Sequence, residues 1–101
     1  MFNHELAARL KRAGSSVTAN ALDPGTVNTK MLYAGWGPIG MRVQDADDQF
    51  FLATDASVAA VSSAYYVSCR ERRAPPPACD GDARARLWDI LKEQTGAEWK
   101  I

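Results

Sequence analysis

The residues best placed to do chemistry stand together at Asp23-Pro24-Gly25-Thr26-Val27-Asn28-Thr29. The run before them, residues 16–22, has the composition of a strand. Pro24-Gly25 stops it, because proline lacks an amide donor and glycine accepts dihedral angles that other residues avoid. Backbone groups come free at such a stop, and the Thr29 hydroxyl lies four residues beyond the glycine. In an open parallel sheet, ligands bind just outside the carboxyl ends of the strands, so this turn is well placed for a cofactor. Strand ends need turns in any case, and spacing alone leaves a plain turn and a binding turn both open.

Other constellations fall short. Gly35-Trp36-Gly37-Pro38-Ile39-Gly40 has the letters of G-x-G-x-x-G. That fingerprint must follow a strand and open a helix, so that amides at the helix start meet a pyrophosphate. Here Pro38 removes one amide and no helical period begins at Gly40, so the segment reads as loop. His4 is the one histidine, and no serine stands in a G-x-S-x-G elbow to work with it. It reads as a surface or packing residue. Asp45, Asp47 and Asp48 lack the glycine and distant glutamate of a calcium loop and read as a helix start. Cys69 and Cys79 lack the spacing of zinc ligands. No catalytic residue and no metal ligand is assigned within this chain.

These residues must be positioned by the elements around them. Phe2, Leu6 and Leu10 recur at helical spacing with Ala7 and Ala8 between them, and Gly14 ends the pattern. Lys11 and Arg12 suit the negative end of that helix. No capping side chain precedes Phe2, so the helix reads as one that begins further upstream. Residues 16–22 are small or apolar on both faces, as in a covered parallel strand. Residues 30–43 hold three glycines and a proline and read as an irregular, apolar loop. A helix is expected from Asp45 to about Ala53, a short turn near 56–60 and a strand at 64–67. Residues 70–79, with Pro75-Pro76-Pro77, read as a linker. The terminal helix, 80–96, opens at Asp80 or Asp82 and closes at Gly96, with Ala83, Leu87, Ile90 and Leu91 as its apolar stripe.

Alternating helices and strands predict an α/β fold with a parallel pair. Two parallel strands make a poor sheet alone. The expectation is therefore a single partial α/β domain over residues 1–101, whose missing strands belong to an absent N-terminal half.

Composition bounds the function. The 101 residues are 47% hydrophobic and 24% charged, with a formal net charge of +0. That is ordinary globular composition, and it supplies no electrostatic attraction to nucleic acid or anionic lipid. No apolar run approaches the ~20 residues of a membrane span. The first residues lack the pattern of a signal peptide, and two cysteines read as reduced thiols, so a cytoplasmic location is expected.

Four stretches in order resemble short-chain dehydrogenases/reductases, in particular their retinol-dehydrogenase-like branch. They are residues 3–10, then 17–29 with its Pro-Gly-x-x-x-Thr turn, then Val61-Ser62-Ser63-Ala64-Tyr65-Tyr66, and finally Ala85-Arg86-Leu87-Trp88-Asp89 through Thr95-Gly96. The likeness covers nearly the whole chain and is weakest over residues 30–60. It implies that the chain is the C-terminal fragment of a Rossmann-type parallel sheet with flanking helices, and that Pro24 and Gly25 abut the nicotinamide ring of NAD or NADP. It implies further that Val27 main-chain groups and the Thr29 hydroxyl hold the carboxamide. The loop from Lys30 to Val43 would then cover a small lipophilic carbonyl or alcohol substrate, with Leu32, Tyr33 and Trp36 as its apolar wall. Asp23 departs from the small residue or histidine common there and reads as a cap for the turn.

The larger departure is the lack of a glycine-rich phosphate loop and of the family's Ser and Tyr-x-x-x-Lys. By register, the Tyr and Lys would stand before Met1. Two readings follow. One is a segment of an NAD(P)-dependent oxidoreductase, not competent alone, with a missing N-terminal half as its partner. The other is a non-catalytic remnant that binds or homo-oligomerises through an apolar helix or an open strand edge.

Overall fold

Apolar residues at helical spacing, with no β-branched residue among them, make Phe2–Arg12 the first helix, α1. This is seen in the computed structural model, which describes residues 1–101. Gly14, at φ +68°, ends it. The Gly14 N–H reaches the Lys11 carbonyl at 3.1 Å and the Ser15 N–H reaches that of Leu10 at 3.0 Å. Both bonds satisfy carbonyls that the helix end would otherwise leave open.

The elements that follow are β1 (Ala21–Asp23), α2 (Lys30–Trp36), α3 (Asp48–Thr54), β2 (Tyr65–Val67), β3 (Arg70–Arg72), α4 (Pro76–Cys79) and α5 (Gly81–Thr95). Single 3-10 turns lie at Val43–Asp45 and Ala56–Val58. The strands form one sheet in the order β1-β2-β3. β1 and β2 run parallel with Ala21 opposite Tyr65, and β3 returns antiparallel with Glu71 opposite Tyr66. The α/β architecture with a parallel pair and flanking helices is therefore as expected.

Four boundaries differ from the sequence reading, each for a local reason. The strand expected at 16–22 is regular only over Ala21–Asp23. Before that point the pairing runs through side chains. Asn20 Nδ2 donates to the Val61 carbonyl at 2.7 Å, and its Oδ1 accepts from the Ala64 N–H at 3.0 Å. The Ser62 hydroxyl accepts from the Ala19 N–H. Ser63 sits at φ +66°, which breaks the partner strand there.

The loop expected at 30–43 contains α2, with Thr29 as its N-cap. The helix expected from Asp45 begins at Asp48, after a 3-10 turn. The linker expected at 70–79 is instead β3 followed by α4. Ser68 and Cys69 both adopt positive φ, which is the geometry of a two-residue hairpin turn. Proline needs no donor in the first turn of a helix, so Pro76 and Pro77 start α4 rather than forbid it.

The terminal helix holds as read. Asp80 caps it by accepting from Asp82 and Ala83, and Gly96 closes it in the left-handed conformation. Its anchor is Trp88, however, while Ile90 of the expected stripe faces solvent.

Two packed groups hold the chain. Val58, Ala64 and Tyr66 form one, with Leu22, Phe51, Leu52 and Val61 against them. The other joins α1 to α5. Phe2 stacks on Trp88 with ring centroids 5.1 Å apart, and the Arg9 guanidinium lies 4.4 Å from the Trp88 ring. Beside them Glu5 is buried, held by Arg9 at 2.8 Å, Arg12 at 3.4 Å and Arg84 at 3.8 Å. Only seven of the 101 residues are buried. The radius of gyration is 15.9 Å, against about 13 Å for a packed domain of 100 residues. The apolar faces are thus incompletely covered.

Candidate functional site

The site is built where β1 ends. Asp23 accepts the Gly25 N–H on its Oδ1 at 2.8 Å, the local cap expected for this turn. Gly25 adopts φ +71°, a left-handed conformation that suits glycine. Pro24, Gly25 and Thr26 are exposed, while Val27 and Asn28 are half-buried.

Beyond the turn the backbone is clasped by a later segment. The Met41 N–H donates to the Thr26 carbonyl at 2.9 Å, and the Asn28 N–H donates to the Met41 carbonyl at 2.8 Å. Val27 and Met41 thereby form a parallel bridge outside the main sheet. The Val27 carbonyl accepts the Thr29 N–H at 2.7 Å, and no acceptor within the chain meets the Val27 N–H. Thr29 Oγ1 accepts the Leu32 N–H at 3.3 Å, capping α2. A hydroxyl that accepts in this way still has its own hydrogen to donate.

Pro24, Gly25, Val27 and Thr29 are thus gathered on one turn. Tyr33 also comes to it, lining a shallow hollow of about 300 Å³ with Asn28, Thr29 and Lys30. Leu32 is half-buried one residue back on α2. Trp36 lies a full helical turn beyond Leu32, is 71% exposed, and does not line that hollow. Met31, Ile39, Met41 and Val43 are exposed as well, so residues 31–43 present an apolar surface beside the turn. The formal G-x-G-x-x-G spans the end of α2, with Gly37 as its C-cap. A helix end presents carbonyls and not amides, so it cannot cradle phosphate.

The clasp by Gly40 and Met41 was not foreseen from sequence, and its one signal was an isolated glycine in an apolar run. Glu5 was likewise missed. An acid inside a helix pattern gives no sign of the arginine that arrives from α5. The chain holds no group of three or more acidic, histidine or cysteine side chains able to bind a metal. Both cysteines are free, and the hydrogen bond that Cys69 donates to Asp48 pushes its thiol pKa up, away from the reactive thiolate. No helix is long and apolar enough to cross a membrane.

No family model matches the chain, and no solved structure matches it. Curated proteins do. Human retinol dehydrogenase 14 is 33% identical over 110 residues, covering 95% of this chain and 32% of that protein. Its mouse counterpart is 32% identical over the same share. Dehydrogenase/reductase SDR family member 13 from Bos taurus is 28% identical over 95% of this chain and 28% of its own length. The chain therefore spans about a third of the length of the curated relatives it matches. Carrying a parallel β1–β2 pair and the capped Pro24-Gly25 turn, the chain is thus similar over 95% of its length to members of the short-chain dehydrogenase/reductase family of oxidoreductases, retinol dehydrogenase 14 among them.

Proposed function

We propose that this chain supplies the nicotinamide-contacting turn and the substrate cover of an NAD(P)-dependent oxidoreductase that interconverts a lipophilic alcohol and its carbonyl. One observation carries the reading. The Val27 N–H has no partner in the chain, and the Thr29 hydroxyl stands two residues away with its hydrogen uncommitted. A primary carboxamide needs a donor for its oxygen and an acceptor for its amide hydrogens. The Val27 N–H and Thr29 hydroxyl supply the donors. The Val27 carbonyl, which uses one lone pair on Thr29, supplies the acceptor.

Gly25 has no side chain to obstruct a flat ring, and Pro24 offers an apolar face beside it. The donor set therefore fits nicotinamide. When bound, that group supplies the hydride chemistry, and the protein supplies orientation and exclusion of water. Here Thr29 and Val27 fix which face of the ring meets the substrate. Leu32, Tyr33 and Trp36 on α2 form an apolar wall, suited to a lipophilic substrate such as the name of retinol dehydrogenase 14 implies for that relative. The chain holds neither a glycine-rich phosphate loop nor a Tyr-x-x-x-Lys pair, so in this reading proton transfer and phosphate binding fall to other residues.

The test places this chain in human retinol dehydrogenase 14, in exchange for the segment it matches. Losing one hydrogen bond costs about 0.5–1.5 kcal/mol, so Thr29→Ala lowers kcat/KM by roughly three- to tenfold. Thr29→Ser keeps the hydroxyl and most of the activity, and Thr26→Ala matters less. Wild-type kcat/KM in Thr29→Ala, with Thr26→Ala crippled, overturns the reading.

A second reading, a non-catalytic module that oligomerises, is favoured by the unpaired outer edge of β1 and the exposed Met31, Trp36 and Phe50. Sedimentation of the chain by itself separates the two. Saturable self-association with no response to nicotinamide supports the module.

A further inference from the structure

We infer that the segment Gly40–Met41 aims Val27, which makes Gly40 a positioning residue for the nicotinamide turn; the word nicotinamide here rests on the function proposed above. Along an extended backbone, successive residues turn their N–H and C=O groups to opposite sides. Thr26 and Asn28 both face Met41, through bonds of 2.9 Å and 2.8 Å. Val27 between them must send its own N–H and C=O the other way. That is why its N–H meets nothing in the chain, and why it is free for a ligand on the far side. Without the bridge, only the Thr29 N–H on the Val27 carbonyl is left to fix the direction in which Val27 points.

Gly40 permits the approach. It adopts φ +84°, and a Cβ built on it would lie 2.6 Å from the Thr26 carbonyl oxygen, the acceptor of the first of these bonds. Real Cβ atoms do not come so close, and the atom opposed is backbone, so any side chain at 40 must push the turn itself. Gly37 makes the informative contrast. Its φ is +76°, yet a Cβ there meets nothing within 4 Å. Backbone strain is shared by the two glycines, while the collision belongs to Gly40 alone. The same bridge closes the neck of residues 29–40. The cover carried by α2 and the direction of Val27 are therefore set by one joint, and displacing the cover re-aims the turn.

The test uses the full chain labelled with 15N. Two signals are read: hydrogen exchange at the Asn28 amide, and the Val27 amide cross-peak during titration with nicotinamide. In Gly40→Ala, exchange at Asn28 quickens at least tenfold, the Val27 cross-peak moves, and its response to nicotinamide is lost. Gly37→Ala leaves all three as in the wild type. Met41→Pro deletes the donor to Thr26 without adding a Cβ at 40, and it reproduces the Gly40→Ala pattern. The near-ultraviolet signal of the Phe2–Trp88 stack reports that the rest of the chain stays folded. Unchanged exchange and an unchanged Val27 signal in both Gly40→Ala and Met41→Pro overturn the inference, whatever nicotinamide does. If nicotinamide leaves the wild-type signal unmoved while both variants free Asn28 and displace Val27, the aiming role stands and the cofactor reading falls.

Discussion

Trp88 and Trp36 are the same residue type put to opposite uses. Trp88 is 5% exposed, stacked on Phe2 and covered by Arg9, while Trp36 is 71% exposed on α2. The difference extends to their surroundings. Around Trp88 the charges are paired, with Glu5 holding three arginines. Around Trp36 and the Pro24-Gly25 turn, apolar side chains lack neighbours and the Val27 N–H lacks a partner. Aromatic stacking and ion pairing are thus concentrated where α1 meets α5, although Asn3 Nδ2, His4 Nδ1 and Arg84 Nε lack hydrogen-bond partners there, while the turn and α2 stay thinly covered.

The sharpest way to break this contrast is to remove each tryptophan. Truncating a buried aromatic costs about 3–5 kcal/mol, a large share of the stability of a small domain. Trp88→Ala therefore abolishes or strongly lowers the cooperative melt seen by circular dichroism, and a melt within two degrees of wild type would dissolve the comparison. Glu5→Ala comes next. Breaking a buried ion pair costs up to about 3–5 kcal/mol, and here the cost falls toward the lower end because Arg12 is largely exposed and can turn to water. Urea titration measures it, and a midpoint that does not move shows that the arginines never needed the acid. Trp36→Ser stands at the opposite pole. Exposed positions change stability by roughly 0.5 kcal/mol or less, yet the substitution lowers binding of a dye that reports apolar surface. A destabilisation like that of Trp88→Ala means α2 is packed after all.

The smallest effect concerns pH. His4 has its pKa held below the ordinary 6.5 by burial first, then by the N-terminal amine and Arg84. The folded chain thus binds fewer protons at this site than the unfolded chain, whose histidine titrates near 6.5. Stability is full above that value and declines as pH falls through it. His4→Gln flattens the slope of Tm between pH 7.5 and 5.5, and an equal slope in the variant assigns the loss to another group.

Legibility in the sequence followed the range of the contacts. α5 could be read to within a residue because Asp80 and Gly96 punctuate it locally. The Pro24-Gly25 turn and its Asp23 cap were legible for the same reason, a bond two residues long. α2 was hidden because it is one short stretch interrupted by Gly35, and its cap, Thr29, had been read for its chemistry instead. β3 was hidden because Ser68-Cys69 takes a turn that usually advertises itself with asparagine or glycine. The bridge from Met41 to Val27 and the ion cluster on Glu5 join segments with no shared period, and composition does not announce such meetings.

The strand β3 has one more consequence. Arg70, Glu71 and Arg72 all lie in water at one margin of the sheet. A further strand pairing there would have to strip solvent from two guanidinium groups, which discourages edge-to-edge joining. At the opposite margin β1 offers the small and apolar Ala21 and Leu22, with no such guard. The two margins of the sheet therefore differ: one is guarded by charge and the other is not. Any strand that paired with β1 would leave the charged margin of β3 facing water, and that charge discourages a second strand from joining there.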